Sequence, residues 1–409
     1  MEIDHAQERK IEKSTKENKS GFQTLRTVIV SGAHAMHDTY SGFISPLIPI
    51  LIAQLGLLKV QAGLFSLVYE GFAILQPMIG YTADKKNLRT FALIAPATTG
   101  IAMSLLGIAP SLSIALILCG IGGISSAIMH SILPPVVSKL SGEEIGKGMS
   151  IWMVGGQIGM LLGPIMITTT VGAFTVKATP WLMIPGIVIA VLLNILLKDI
   201  DTSSADKENK KNGISMAKLT TIMLPLFAII VMRSFLRSSS VNFLPVFLSE
   251  SGYSIWLVGL AITIFKGCGV FGTILSGLIN NRVGIKWIFT ISLSISAIAM
   301  FIFAKTDGAI QIISLAFIGI ATMMMMPVGL ATVQNHFPEN RSLANGIYLA
   351  SNFSVNAIAG VIVGTLYDKF GGQRAFMISA IIALLGIPFV FFLPKNGKPT
   401  VSLEEMRYD

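Results

Sequence analysis

Charged side chains are scarce in this sequence. Of its 409 residues only 12% are Asp, Glu, Lys or Arg, about half the usual share of soluble domains, whereas 53% are hydrophobic. This composition excludes a water-soluble enzyme. Lys and Arg outnumber Asp and Glu by 30 to 21, but no basic run with interleaved aromatic residues accompanies the excess, so we expect no nucleic-acid partner.

Cysteine is also nearly absent. The two cysteines, Cys119 and Cys268, lie alone in apolar runs, which excludes a disulfide framework, a cysteine metal site and a redox motif. Neither an HExxH pair nor a nucleophile elbow is present. The sequence therefore predicts no metal site, no cofactor and no enzymatic chemistry.

Long apolar runs are abundant instead. Each is long enough to cross a hydrocarbon core of about 30 Å as a helix, and the runs lack the alternation of barrel strands. Twelve such spans are predicted, at residues 27–54, 61–82, 90–109, 112–138, 147–171, 180–198, 219–248, 255–279, 286–304, 309–336, 343–367 and 374–393. We number them spans 1 to 12.

The basic residues predict the orientation. With both termini in the cytoplasm, 22 of the 30 Lys and Arg lie in cytoplasmic segments and 5 outside. The predicted segments are a polar cytoplasmic tail at 1–21 without a signal peptide, a six-helix half at 22–198, a cytoplasmic linker at 199–218, a second six-helix half at 219–394 and a tail at 395–409.

Internal repetition supports two halves. A shift of about 196 residues lays Pro49 on Pro245, Gly56 on Gly252 and Gly63 on Gly259. We therefore expect an all-α membrane protein of two pseudo-symmetric six-helix bundles. Repeats of this kind usually bracket a substrate site near the bilayer midplane.

The loop after span 2 resembles the signature of the major facilitator superfamily, and the resemblance covers nearly the whole chain. The matching residues are Gly80, Asp84, Lys85 and Arg89, although Asn87 replaces an expected glycine; the second copy has Gly277, Asn281 and Arg282, with Asn in place of the acid. These residues are predicted to form a cytoplasmic latch that breaks as the halves rock. A solvated turn is the alternative.

Span 5 resembles the glycine-rich motif of the superfamily's drug and proton antiporters. Gly155, Gly159 and Gly163 provide a face of small residues for close helix packing, and Pro164 bends the rest of the helix. A generic helix interface explains the same pattern.

A narrower likeness is to the fosmidomycin resistance branch, which exports a phosphonate antibiotic. The residues that carry it are His34-Ala-Met-His37-Asp38 and Ser45-Pro46-Leu-Ile-Pro49, Leu75-Gln76-Pro77, Met129-His130, Arg233-Ser234 and Phe243-Leu244-Pro245. The branch implies export of small organic compounds.

Ionisable groups inside the spans are the candidate site residues because burying them in lipid is costly. Asp38, Glu70, His37 and His130 are candidates for carrying a coupled proton. The alternatives are that Asp38 forms a permanent pair with Arg233 or Arg237, and that the histidines are neutral and serve only as hydrogen-bonding residues.

Three basic residues within the spans exceed the two acids, which favours an anionic substrate. The candidate substrate-binding residues are His34, Arg233, Arg237, Lys266, Asn352 and Asn356. The alternatives are that Arg237 lies away from the cavity and that the asparagines form hydrogen bonds between helices.

These observations predict a proton-coupled exporter of small organic anions, working by alternating access as a monomer in a prokaryotic cytoplasmic membrane. Its partners are a small-molecule substrate, protons and the lipid bilayer. An importer of organic anions or sugar phosphates is the alternative within transport. A membrane sensor or assembly partner without transport activity is the alternative from another class.

Overall fold

The computed structural model describes residues 22–142, 144–200, 216–337 and 341–393. All regular elements within these ranges are helical. The first part of the chain contains eight α-helices: α1 Thr24–Ser41, α2 Ile44–Leu55, α3 Lys59–Gly71, α4 Gln76–Lys85, α5 Arg89–Leu106, α6 Leu112–Leu140, α7 Ile145–Ala173 and α8 Met183–Leu196. Short 3₁₀ turns lie at Phe72–Leu75 and Val176–Leu182.

The second part continues this pattern of apolar helices. They are α9 Met216–Ser238, α10 Leu244–Glu250, α11 Ile255–Val283, α12 Ile285–Lys305, α13 Gly308–His336, α14 Arg341–Phe370, α15 Gly372–Leu384 and α16 Ile387–Val390. A π-helical turn at Ser239–Phe243 joins α9 to α10.

Eleven helical stretches of the described chain are long and apolar enough to cross a membrane. The twelfth prediction, span 1, is broken into α1 and α2 at Gly42 and Phe43. Pro46 accounts for the break, because its ring lacks an N–H for the Gly42 carbonyl and collides with that carbonyl in a regular helix. Pro77 follows the 3₁₀ turn in span 2 in the same way.

The chain packs as two compact units. In the described ranges, unit 1 contains residues 22–44 and 75–200, and unit 2 contains 45–74 with 216–337 and 341–393. Both boundaries in the first half fall at the interruptions of spans 1 and 2. The two units differ from the predicted halves in that α2 and α3 pack within unit 2. The division into six-helix halves stays a prediction.

Unit 1 has an apolar core built by α1, α5, α6, α7 and α8. Val30, Leu93, Leu133, Trp152 and Leu193 are all at most 2% exposed. A tyrosine ties two of these helices together as well: the Tyr40 hydroxyl donates to the Leu182 carbonyl at 2.7 Å and accepts from the Gly186 amide at 2.7 Å. The packing holds the polar face of α1 at a defined position.

Unit 2 contains the same turn twice. Gly56 and Gly252 both have positive φ, +63° and +84°. After each glycine a six-residue turn closes, from the Leu57 amide to the Ile52 carbonyl and from the Tyr253 amide to the Leu248 carbonyl, both at 3.1 Å. These are Schellman bonds, which need a residue that tolerates positive φ. The spacing of 196 residues between the two turns matches the repeat in the sequence.

Large apolar side chains also cover the outside of the helices. Trp181 and Leu278 are each 73% exposed, and Trp287 is 66% exposed. Surfaces of this kind face lipid rather than water in a membrane protein.

Candidate functional site

The polar face of α1 is buried inside unit 1. His34 and Asp38, one turn apart, are 4% and 5% exposed, and His37 is fully buried. Helix α6 brings His130 to the same place, and α7 brings Trp152, whose ring stacks on His34 with centroids 3.8 Å apart. The structure therefore gathers four of the predicted site residues, His34, His37, Asp38 and His130.

Backbone carbonyls orient both histidines that face Asp38. His34 Nδ1 lies 2.9 Å from the Trp152 carbonyl oxygen, and His130 Nδ1 lies 2.9 Å from the Ser126 carbonyl oxygen. A carbonyl only accepts hydrogen bonds, so each Nδ1 carries the proton and donates. In the neutral imidazoles each Nε2 is then a bare lone pair.

These lone pairs converge on a carboxylate. His34 Nε2 lies 3.2 Å from Asp38 Oδ2, His130 Nε2 lies 3.6 Å from Asp38 Oδ1, and the two Nε2 atoms are 3.3 Å apart. Three acceptors at these distances repel one another unless a positive charge lies among them. We call His34, Asp38 and His130 the acceptor cluster.

His37 adjoins this cluster. Its ring centroid is 5.5 Å from that of His130. Neither of its ring nitrogens has a hydrogen-bond partner among the described residues. Buried polar atoms without partners are uncommon and often occur at functional sites.

The glycines of α7 let this helix lie directly against α1. A Cβ on Gly155, Gly159 or Gly163 would overlap the backbone carbonyl of a residue of α1. A Cβ on Gly156 would lie 3.0 Å from Asp38 Oδ2. Pro164 lies inside α7, one residue beyond Gly163. The predicted packing motif thus lies beside the acceptor cluster.

Unit 2 holds a buried arginine that has no acidic partner among the described residues. Arg233 on α9 is 4% exposed and donates to the Asn352 side-chain oxygen at 2.7 Å and to the Thr322 carbonyl at 3.4 Å. Its Nε has no hydrogen-bond partner, and no carboxylate of the described residues forms a salt bridge with it. On α14, one turn beyond Asn352, the buried Oδ1 of Asn356 also lacks a partner within the described ranges.

The second arginine of α9 pairs with the buried acid of span 2. Arg237 Nη2 lies 3.7 Å from Glu70 Oε1, and both side chains are 20% exposed. Glu70 Oε2 has no hydrogen-bond partner among the described residues. A carboxylate within a membrane span requires a compensating charge, and for Glu70 that charge is Arg237. Lys266, the remaining predicted cation, is half-buried on α11 of the same unit.

The predicted cytoplasmic latch is only partly visible. Arg89 Nη1 donates to the Leu197 carbonyl at 3.4 Å, and Arg282 is exposed. Gly80 and Gly277 both have open space where a Cβ would lie. The side chains of Asp84, Lys85 and Asn281 lie outside the described residues, so the latch stays a prediction.

A different contact, at the other end of the helices, was missed by the sequence reasoning. The Asp368 carboxylate accepts from the backbone amides of Lys59 and Val60 at 3.0 and 2.8 Å, and so caps α3. Lys59 Nζ lies 3.0 Å from Glu250 Oε1, and the Tyr367 hydroxyl donates to Glu250 Oε2 at 2.6 Å. The signal was available: an acid near the end of span 11 and a charge at the start of span 2.

Apolar membrane-spanning helices around buried charges are typical of polytopic membrane proteins with a functional polar site, transporters among them. The sequence profile of the Major Facilitator Superfamily matches residues 30–282 and 226–407. The chain therefore belongs to this superfamily of transporters. It carries a small-molecule substrate across a lipid bilayer and is not an enzyme.

Several curated relatives match over most of the chain. The fosmidomycin resistance protein of Escherichia coli is 23% identical over 394 residues, which cover 94% of this chain and 95% of that protein. The "Probable hexose phosphate transport protein" of Chlamydia trachomatis is 23% identical over 412 residues, covering 87% of each. The resemblance to the fosmidomycin resistance branch is confirmed.

Solved structures show the same fold. A bacterial homologue of the human lysosomal transporter Spinster, in an inward-facing and occupied conformation, superposes with a TM-score of 0.76 at 13% identity, covering 91% of this chain and 97% of that chain. A D-xylose–proton symporter superposes with a TM-score of 0.71 at 17% identity, covering 91% and 98%. The predicted all-helical major facilitator fold is confirmed.

Proposed function

We propose that this transporter exports small organic anions in exchange for protons, across a prokaryotic cytoplasmic membrane and as a monomer. The observation that carries the anion assignment is Arg233: a buried guanidinium that no carboxylate neutralises among the described residues. A buried charge without a counter-ion is costly, so an anionic ligand stabilises this arrangement.

The geometry of Arg233 suits an oxyanion. Its Nη2 donates to Asn352, whereas its Nε has no hydrogen-bond partner in the described part of the chain and so offers an N–H to an incoming acceptor. Guanidinium N–H groups bind phosphonate, phosphate and carboxylate oxygens well because the planar fork matches their geometry.

Export is supported by the relative. The match to the fosmidomycin resistance protein extends over 94% of this chain and 95% of that protein. For exchange, the proton and the anion must occupy alternate states of the carrier. Asp38, Glu70, His37 and His130 stay the predicted proton carriers.

A second candidate function, cotransport of the anion with a proton, is favoured by the Glu70–Arg237 pair. A proton on Glu70 removes its charge and frees Arg237, so protonation strengthens anion binding. Proton and anion then bind together, which is cotransport and would serve import. The similarity to a hexose phosphate transport protein agrees with this candidate.

The sign of the proton flux distinguishes the two candidates. We would reconstitute the full chain in liposomes with a pH-sensitive dye inside and add fosmidomycin, glucose 6-phosphate or a lipophilic cation outside. Anion entry makes the lumen alkaline under exchange and acidic under cotransport. A response to the lipophilic cation alone would contradict the anion assignment.

The residue test uses Arg233→Gln with Lys305→Gln as its matched control, since Lys305 is an exposed residue of unit 2 whose change removes the same charge. Loss of a charged hydrogen bond costs about 1.5–3 kcal/mol, so we expect anion affinity to fall about 10- to 150-fold in Arg233→Gln only. Equal effects of the two substitutions would contradict a site at Arg233. Glu70→Gln should abolish proton flux if Glu70 carries the proton.

A further inference from the structure

The acceptor cluster has the ligand set of a transition-metal site. Two imidazole nitrogens and one carboxylate, from two different helices, place their ligand atoms within 4.8 Å of one another. The sequence predicted no metal site because His130 is almost a hundred residues away from His34 and Asp38, and no ligand motif joins them. The fold brings the three together.

The distances suit tetrahedral coordination. Zn²⁺ binds His nitrogen and Asp oxygen at about 2.0–2.2 Å, so two ligands of a tetrahedral ion lie about 3.3 Å apart. The two Nε2 atoms lie 3.3 Å apart, His34 Nε2 lies 3.2 Å from Asp38 Oδ2, and His130 Nε2 lies 3.6 Å from Asp38 Oδ1. A single small ion between the two nitrogens and the carboxylate is therefore within reach of all three residues.

The hydrogen bonds behind the ligands support the same assignment. A histidine that binds a metal through one ring nitrogen almost always donates its other N–H to a carbonyl or carboxylate, which fixes the tautomer. His34 donates to the Trp152 carbonyl and His130 to the Ser126 carbonyl, so both Nε2 lone pairs are directed at the cluster. A single proton shared with Asp38 would need only one of the two Nε2 lone pairs, whereas a metal ion uses both.

Access is provided on one side. The side chains of His34 and Asp38 are 6% and 7% exposed, whereas that of His130 is 31% exposed. Three protein ligands with one open side are the usual arrangement of a zinc site that keeps an exchangeable fourth position.

We propose that His34, Asp38 and His130 bind one divalent transition-metal ion of the Zn²⁺ type, joining α1 to α6 inside unit 1. The site does not depend on the substrate or on the direction of transport. With the ion bound, Asp38 and His130 do not carry the coupled proton, which leaves Glu70 and His37 as its predicted carriers. Because the site exists only in the folded chain, the bound ion raises thermal stability by an amount that grows with the logarithm of the ratio of metal concentration to Kd.

The test uses the full chain in detergent, purified without a histidine tag and stripped of metal with a chelator. We would titrate Zn²⁺ by calorimetry and Co²⁺ by visible absorption, which reports tetrahedral nitrogen and oxygen coordination. One equivalent of each metal should bind, and Zn²⁺ should raise the melting temperature. Absence of binding, as for a cluster that holds only a proton, would overturn the proposal.

The variants separate this site from adventitious binding. His130→Gln and Asp38→Asn should each weaken Zn²⁺ affinity by at least about 100-fold, because loss of outer hydrogen-bond partners alone costs up to that factor. His336→Gln is the matched control, since His336 Nδ1 also lies 2.8 Å from the carbonyl four residues earlier. If Asp38→Asn does not fold, the partly exposed His130 still provides the test. Unchanged affinity in His130→Gln would refute the site.

Discussion

The contact between α3 and α14 should not tolerate a single added methyl group. A Cβ on Gly63 would lie 2.6 Å from the carbonyl carbon of Gly360 and 2.7 Å from Val361 Cα. One turn further along α14, a Cβ on Gly364 would lie 2.8 Å from the Lys59 carbonyl carbon. All of these neighbours are backbone atoms, so no side-chain rotation relieves the overlap. Gly63→Ala must therefore move one helix away from the other.

The size of the effect depends on this separation. A gap of about 0.5–1 Å forfeits a quarter to a half of each dispersion contact across the interface. Overpacking of this kind costs about 1–3 kcal/mol. Opening of the contact should therefore become about 5- to 150-fold more frequent.

Hydrogen exchange measures this opening directly. The amides of Lys59 and Val60 donate to the Asp368 carboxylate across the interface, so they exchange when α3 leaves α14. In Gly63→Ala we expect their exchange to accelerate by the same factor as the opening. Gly71→Ala at the end of the same helix is the control, because apart from its own helix and chain neighbours no atom of the described residues lies within 4 Å of its added methyl. Equal exchange in wild type and Gly63→Ala would refute the reasoning.

Two further substitutions test unit 1. Tyr40→Phe leaves the Leu182 carbonyl and the Gly186 amide without their partner, and should lower the free energy of unfolding by about 1–3 kcal/mol; an unchanged melting temperature in detergent would argue against these bonds. The hydrogen bond from Arg26 lowers the pKa of Asp199, so this pair stabilises the fold above the ordinary carboxyl pKa of about 3.9 and the gain is lost as the pH falls through the lowered value. The melting temperature should therefore fall less below about pH 4 in Arg26→Ala than in the wild type. The difference should be small because the side chain of Asp199 is 54% exposed. Identical pH profiles in the two proteins would exclude this contribution.

The sequence predicted the helices well and their interruptions poorly. Apolar length alone places a membrane helix, because the bilayer fixes the number of residues needed to cross it. The breaks near Pro46 and Pro77 depend on backbone geometry within an apolar run, which hydropathy does not register. Proline positions, considered together with hydropathy, would have divided span 1.

The candidate site shows a similar division. Helical spacing places His34 and Asp38 on one face of α1, and places Arg233 and Arg237 on one face of α9, since both pairs are four residues apart. Spacing does not say which helices are neighbours, so it gave no reason to join His130 to Asp38 or Arg237 to Glu70. Arg237 pairs with Glu70 within unit 2. A permanent pair of Asp38 with an arginine stays an alternative.

The distribution of these charges matters more than their sum. The sequence count of three basic and two acidic residues predicts one excess positive charge within the membrane spans taken together. The structure places Arg233, Arg237 and Lys266 in unit 2 with Glu70, and leaves Asp38 in unit 1 with its histidines. Unit 2 therefore holds the buried Arg233 and the half-buried Arg237 and Lys266 against one acid, an excess that favours an anionic ligand, whereas unit 1 holds converging acceptors, which stabilise a cation. Since the two sites attract opposite charges, a substrate anion and a bound cation do not compete for the same side chains. Each site can then be tested by substitutions that leave the other intact.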